Sequence, residues 1–422
     1  MLNGECMQSK KFVRINILFA FYIVLMPIFS VLLGCIGVDF SIGNQLFFWT
    51  IFFMVFLFVC LLINAYKRKK IGINLKNKYF GLTMALLLWI SISSIVNRNF
   101  SIDLLFYISY FCIFVCFYKL DKKFFNLLLN ILIGCMVVSC VLGFVDPYNR
   151  FMPGFNFNAA PMSLQFSTSN YAAYIVAALT ILCFIRYEFQ SKRLLSFFYG
   201  ISYLVFCFYL FMNGSFIAIT SVLMLEIFSV IFLSIKHKKF QCKMLMLFIV
   251  AIAICFLVEL VPNIENIRSC RYNYFLECVA VMDNVLHTNF LAMFNISEVP
   301  GADGWSRSEY AQDSLSKCTS SVKSIIFGDG AGTFSDYKPH NAFLSLFLDF
   351  GIVLPILFGV LIFFVYKEAF KFKRETLSNQ LVYVITSFLL CYMFGSIVYN
   401  SFYVYIILMA GVFNFKSKKE VN

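Results

Sequence analysis

Histidine is scarce in this chain, with three in 422 residues, and one of them, His340, stands beside Asn341 at the head of a long apolar run, "PHNAFLSLFLDFG" at 339–351. An imidazole, with a reference pKa of about 6.5, can take a proton from a hydroxyl nucleophile or donate a hydrogen bond to an anion. A structural histidine at a membrane interface is the plainer alternative. Upstream, "GWSRSEYAQD" at 304–313 carries Arg307 and Tyr310, and the same polar segment holds Arg268 and Arg271. A guanidinium meets phosphate through two parallel hydrogen bonds and stays charged at any physiological pH. A salt bridge from Arg307 to Glu309 or Asp303 is the competing use. "GDGAG" at 328–332, with Gly328 and Gly330, has the composition of a phosphate-cradling loop and equally of a plain turn.

Metal and cofactor chemistry find no foothold. The 15 cysteines fall mostly within apolar runs, where they act as small hydrophobes, and no paired CxxC spacing occurs. Cys270, Cys278 and Cys318 lie in the large polar segment, where one disulfide is open to them if that segment is extracytoplasmic. Two acidic residues interrupt apolar runs, Glu226 and Asp349, and an ionisable group in lipid is a functional candidate by default. Each can instead pair with a neighbouring helix.

The elements that must position these residues follow from composition. With 61% hydrophobic residues, 13% charged residues and a mean hydropathy of +0.84, the chain is no ordinary soluble protein. It reads as an all-α, polytopic integral membrane protein, a single transmembrane domain over 1–422. A hydrocarbon core of about 30 Å needs roughly 20 apolar residues per helical span. Such runs are predicted at 15–37, 45–66, 79–96, 102–118, 124–145, 171–185, 194–212, 216–235, 244–261, 341–365, 380–398 and 402–415, about twelve spans with both termini cytoplasmic. The first run has the basic start of a signal peptide, and "LLGC" at 32–35 loosely resembles a lipoprotein box. Its length, and the odd number of spans that cleavage would leave, favour a retained first span.

The net charge of +13 would suggest nucleic acid in a soluble chain. Its distribution instead serves topology. Basic clusters at Lys10–Arg14, Lys67–Lys78, Lys119–Lys123, Arg186–Arg193, Lys236–Lys243, Lys367–Arg374 and Lys416–Lys419 fall in alternate loops, as the positive-inside rule demands. Two outward loops result, 146–170 and the larger 262–340. Basic residues left outside the clusters are Arg98, Arg150, Arg268, Arg271, Arg307, Lys317, Lys323 and Lys338, most of them in the larger loop. Positive charge on the outward side runs against the orienting bias, and an anionic ligand is the simplest reason for it. Pairing with the loop's own Glu265, Glu277, Asp303, Glu309 and Asp313 is the alternative.

Within the tenth predicted span, Gly351 lies eleven residues after His340. On a continuous helix the two would share a face about 16 Å apart, with the glycine docked closely on a neighbour.

The segment "FGDGAGTFSDYKPHNAFLSLFLDFGIVLPILF" at 327–358 resembles a motif region of the O-antigen ligase and polymerase superfamily, which joins lipid-linked glycans at the outer face of the bacterial inner membrane. In the ligase branch a His is followed by Asn, Ser or Gln, nine residues, a Gly, two residues and a small or tyrosine position. Here the pattern is His340, Asn341, nine residues and Gly351, with a departure at Leu354. The Arg307 helix and the Phe-Gly-x-Gly turn ahead of His340 are similar to the family's arrangement, and "FSTSNYAAY" at 166–174 is similar to its entry to a middle span. A Ser-Arg pair common after the seventh span is replaced by Asn213, Gly214, Ser215 and Phe216.

The resemblance covers residues 150–365 in order and topology. It implies a metal-independent glycosyltransferase without cofactors, using an undecaprenyl-diphosphate-linked glycan as donor. Arg307, with Arg268 and Arg271, would meet the departing diphosphate. His340 would act as base or bind the diphosphate. Asn341, Tyr310, Gly328, Gly330 and Gly351 would support them. The polymerase branch (the Wzy type), acting in lipopolysaccharide or related polysaccharide biosynthesis, is the first expectation. Its partners would be the lipid-linked glycans, the bilayer, a chain-length regulator and a flippase, with no nucleic acid. A ligase transferring the glycan to lipid A core is the nearest alternative. A lipid-linked oligosaccharide flippase is the alternative of another class, though paired broken helices and internal repeats, frequent in transporters, are not visible.

Overall fold

Apolar runs long enough to satisfy their own backbone by i to i−4 hydrogen bonding become helices, because in an apolar medium no other open structure pairs every N–H and C=O. The computed structural model describes residues 2–35, 45–46, 48–52, 54–56, 78–99, 103–118, 120–145, 164, 169–238, 241–259, 307–330, 341–369, 377–394 and 399–417. Among these, 91% are helical and none is in a strand. In chain order the helices are α1 (Leu2–Cys35), α2 (Lys78–Val96), α3 (Asp103–Tyr118), α4 (Lys122–Val145), α5 (Ser169–Phe189), α6 (Arg193–Asn213), α7 (Phe216–His237), α8 (Cys242–Glu259), α9 (Arg307–Cys318), α10 (Val322–Phe327), α11 (Ala342–Phe350), α12 (Val353–Ala369), α13 (Leu377–Phe394) and α14 (Tyr399–Ser417).

Four described stretches are long and apolar enough to cross a membrane: Lys122–Phe144, Ala172–Phe189, Arg193–Asn213 and Ile217–Ile235. Shorter apolar helices occupy Ile17–Leu33, Gly81–Val96, Tyr107–Tyr118, Cys242–Leu257, Val353–Lys367, Gln380–Met393 and Tyr403–Val412. Large apolar side chains stay exposed on many of them, among them Leu18, Leu88, Leu194, Met246, Phe256 and Phe363. A surface of this kind suits lipid rather than water.

The centre is α5. Every residue from Ala172 to Ile185 is buried, and α6, α7, α8, α13 and α14 pack around it. Its "YAAYIVAAL" stretch carries alanines that let neighbouring backbones approach, which matters where helix association rests on close packing rather than on water exclusion. Hydroxyls on such helices bond back to their own turn: Thr180 to the carbonyl of Val176 at 2.7 Å, and Ser202 to that of Phe198 at 2.7 Å. At the C-terminal end of α5 the Arg186 guanidinium is buried. It donates to Asn130 and Asn126 of α4 at 2.8 Å each and to Tyr199 of α6 at 3.2 Å, so one cation ties three helices.

The tenth predicted span is not one helix. It divides into α11 and α12 at Gly351 (φ 75°, ψ 178°), so Gly351 ends a short helix instead of continuing the face of a long one, and His340 lies outside the described residues. Asp349 accordingly lies at the C-terminal end of a nine-residue helix rather than in the middle of a long one. Helices α12 and α13 run antiparallel, pinned by the Tyr366 and Thr386 hydroxyls at 2.6 Å, which returns the C-terminus of α13 to the end of the bundle where α12 begins. The C-terminus of α2 lies at that end too, and α11 stretches between the two.

Candidate functional site

The site begins with a short helix. Ser321 caps α10 by accepting the backbone N–H of Ser324 at 3.0 Å, and Ser324 donates its hydroxyl to the Asp329 carboxylate at 2.9 Å. The helix stops at Gly328 (φ 67°, ψ −166°), a backbone region that is essentially closed to other residues. A Cβ on Gly328 would also run into the backbone of Asp349 and Phe350. This turn lies directly on the end of α11.

An α-helix leaves its last four carbonyls without intrahelical donors. In α11 all four are supplied. Gly351 N–H donates to Phe347 at 2.8 Å, Asp329 N–H to Leu348 at 2.9 Å, Gly330 N–H to Asp349 at 3.0 Å, and the Trp89 indole to Phe350 at 2.9 Å. Ile352 N–H returns to the carbonyl of Ile325 at 2.9 Å. A Cβ on Gly351 would strike the Ile326 carbonyl, which explains why the chain breaks there: the loop needs the space. The reading of "GDGAG" as a phosphate cradle loses its donors at Asp329 and Gly330, because both N–H groups are committed to α11.

Helix α2 completes the lock. Trp89 stacks on Phe327 with ring centres 5.4 Å apart and 8° between planes, Ser93 donates to the Phe327 carbonyl, and Asn97 reaches the same carbonyl at 3.3 Å. Asn99 packs against Gly330. Tyr107 of α3 meets Phe350 edge-on at 5.0 Å.

At the other end of α11, Asn341 is the N-cap. Its Oδ1 accepts Leu344 N–H at 3.0 Å, while its Nδ2 donates to the Met393 carbonyl of α13 at 2.9 Å. Both halves of the amide are used, so the residue next to His340 is fixed to two helices.

Arg307 and Tyr310 fall in the first turn of α9, which packs on α11. Cys318 closes α9, fully buried, as a free thiol. Burial, the Asp329 carboxylate and, more weakly, Asp349 push that thiol up to about 12. Asp349 lies in the last turn of α11, so the C-terminal end of α11 is close enough to act on the thiol that closes α9. Lys317 pairs with Asp313 one turn earlier, the alternative to an anionic ligand for this basic residue. His340, Arg268, Arg271, Cys270 and Cys278 lie outside the described residues, as do most of 146–170 and the rest of 262–340.

Sequence reasoning missed the contribution of α2. Trp89, Ser93 and Asn97 recur every four residues on one face of an apolar helix that ends in "NRN", and that polar stripe was the available signal. Glu226 stands as expected, 2% exposed within α7, with Oε1 lacking a hydrogen-bond partner.

Fold and site together define a class: an all-helical protein with apolar helices able to cross a bilayer, carrying an interlocked loop unit at one end of the bundle. No protein-family model and no curated protein matches the chain.

Proposed function

We propose that this chain is a membrane glycosyltransferase that polymerises undecaprenyl-diphosphate-linked repeat units into O-antigen or a related surface polysaccharide. In this reading the bundle crosses the bacterial inner membrane about twelve times with cytoplasmic termini, and the interlocked end faces the periplasm. One observation supports it above the rest. The described stretches that carry the resemblance, the helix opened by Arg307, the "FGDG" turn and the "NAFLSLFLDFG" segment at 341–351, pack into a single unit although residues 307 and 351 bound it in sequence.

The chemistry needs no metal. An acceptor sugar hydroxyl attacks the anomeric carbon of the donor glycan, the bond from that carbon to the diphosphate oxygen breaks, and the electron pair leaves with the diphosphate. The hydroxyl proton passes to a base, for which His340 is the candidate; its alternative role is a hydrogen bond to the diphosphate. Arg307 neutralises the leaving group, with Arg268 and Arg271 as partners. A chain-length regulator and a flippase are the expected companions.

The test is substitution with membrane abundance held as a control. Arg307→Lys keeps the charge but not the paired geometry, so glycan length should collapse. His340→Ala should be severely defective. Normal glycan length at normal abundance in either variant removes that residue from the site.

A further inference from the structure

The outward end of α2 carries a cation that the reading above does not use. Arg98 follows the helix with φ 51°, a left-handed backbone. Its N–H donates to Ile95 at 3.1 Å, and the next N–H, of Asn99, donates to Ser94 at 3.0 Å. These two bonds make a Schellman cap with Arg98 at the position where glycine or asparagine is usual. An arginine there is held in a strained conformation by a cap that glycine would serve better. Its side chain is exposed and makes no hydrogen bond or ion pair with any described residue. The residues on either side of it are committed to the loop, Asn97 to the Phe327 carbonyl and Asn99 against Gly330.

Below it lies an apolar cleft bounded by α2, α3, α11, α12 and α14, with Leu87, Ile90, Tyr107, Phe114, Leu346 and Leu354 among its walls. Its cavity volume is about 80 Å³, within a wider space of about 690 Å³ that includes the part open to the surroundings. Ile90 is eight residues before Arg98, or about 12 Å along the helix. A cation that pairs with no described residue, at the helix end beyond an apolar cleft, complements an amphiphile with an anionic head and a long hydrocarbon chain.

We propose that Arg98 binds the diphosphate head of a polyprenyl diphosphate and that this cleft takes the first isoprenoid units of its chain. The proposal rests on the glycosyltransferase reading and names the binding site for its lipid carrier. Arg98 belongs with Arg307 as a cation facing the leaving group, one drawn from the bundle and the other from the loop.

Binding by the purified full-length protein in detergent tests this, with geranylgeranyl diphosphate and inorganic pyrophosphate as probes. The wild type should bind both, the prenyl compound more tightly. Arg98→Gly, which relieves the left-handed backbone, should keep or raise the thermal midpoint while weakening both probes at least tenfold. Arg98→Asn should do the same to binding. Leu87→Trp, which fills the cleft, should weaken geranylgeranyl diphosphate at least tenfold and leave pyrophosphate unchanged.

If the wild type binds and both Arg98 variants bind equally well, the role of Arg98 is overturned while the proposed function stands. If Leu87→Trp changes neither probe, the chain does not lie in this cleft. Failure of the wild type to bind either probe removes the lipid carrier, and with it both this proposal and the function it rests on.

Discussion

Trp89 donates its indole N–H to the carbonyl of Phe350 at 2.9 Å across 261 residues of sequence. That bond fastens the C-terminal end of α2 to the break between α11 and α12, while the same ring stacks on Phe327. One side chain therefore holds two of the three segments of the interlocked unit.

Trp89→Phe separates the two contacts. The smaller ring can still stack on Phe327, but the Phe350 carbonyl loses its donor. An unsatisfied buried carbonyl costs about 1–3 kcal/mol, so thermal unfolding of the purified variant should shift clearly downward. An unchanged midpoint would show that another donor serves Phe350 equally well.

The glycines of the lock should be far less replaceable than a glycine elsewhere in the apolar helices. Gly328 and Gly351 both occupy backbone regions that cost other residues about 1–3 kcal/mol, and an added Cβ at either meets backbone. Gly359, in the middle of α12, has open space within 4 Å. Gly328→Ala and Gly351→Ala should reduce protein abundance in membranes several-fold, and Gly359→Ala should not. Equal abundance of all three would mean that the loop does not interlock with α11 as described.

Cys318 offers a readout of whether α9 stays seated. Its thiol is raised above the usual value of about 8.5 to about 12 by burial first and the Asp329 carboxylate second. The thiolate is the reactive form, and a raised pKa keeps the protonated form in the majority up to the new value. Maleimide labelling of Cys318 in an otherwise cysteine-free variant should stay slow from pH 7 to pH 9 and become fast once the protein is unfolded. Fast labelling of the folded protein at pH 7 would show that α9 leaves α11.

The helical class was legible in the sequence because runs of about 20 apolar residues leave little else for the backbone to do. The turn at Asn213 to Ser215 between α6 and α7 was equally plain, since small and amide residues interrupt two apolar runs. The break at Gly351 was not legible. Within an apolar run a glycine reads as a close-packing contact, and what opens the chain here is the Ile325 to Gly330 loop, a partner from more than twenty residues upstream. Ser93 and Asn97 showed only as a polar stripe, because their acceptor is a single carbonyl, Phe327, that only the tertiary fold brings to them. Asn341 was singled out by its place in a motif, but its bond to Met393 depends on how α11 meets α13.

The acceptor decides which branch of the proposed chemistry applies, and deletion of the gene in its own host separates the outcomes. A polymerase acts before transfer to lipid A core, so its loss leaves a ligase free to attach single units. Lipopolysaccharide should then collapse to core and core plus one repeat, and that is the expected result. A ligase acts after polymerisation, so its loss would leave bare core while long glycan remained on undecaprenyl diphosphate. A flippase deletion would leave no glycan at all beyond the cytoplasmic face. Full-length lipid-linked polymer with uncapped core in the deletion strain would reassign the acceptor to lipid A core. The roles proposed for Arg98, Arg307 and His340 would survive that result, since both branches expel the same diphosphate.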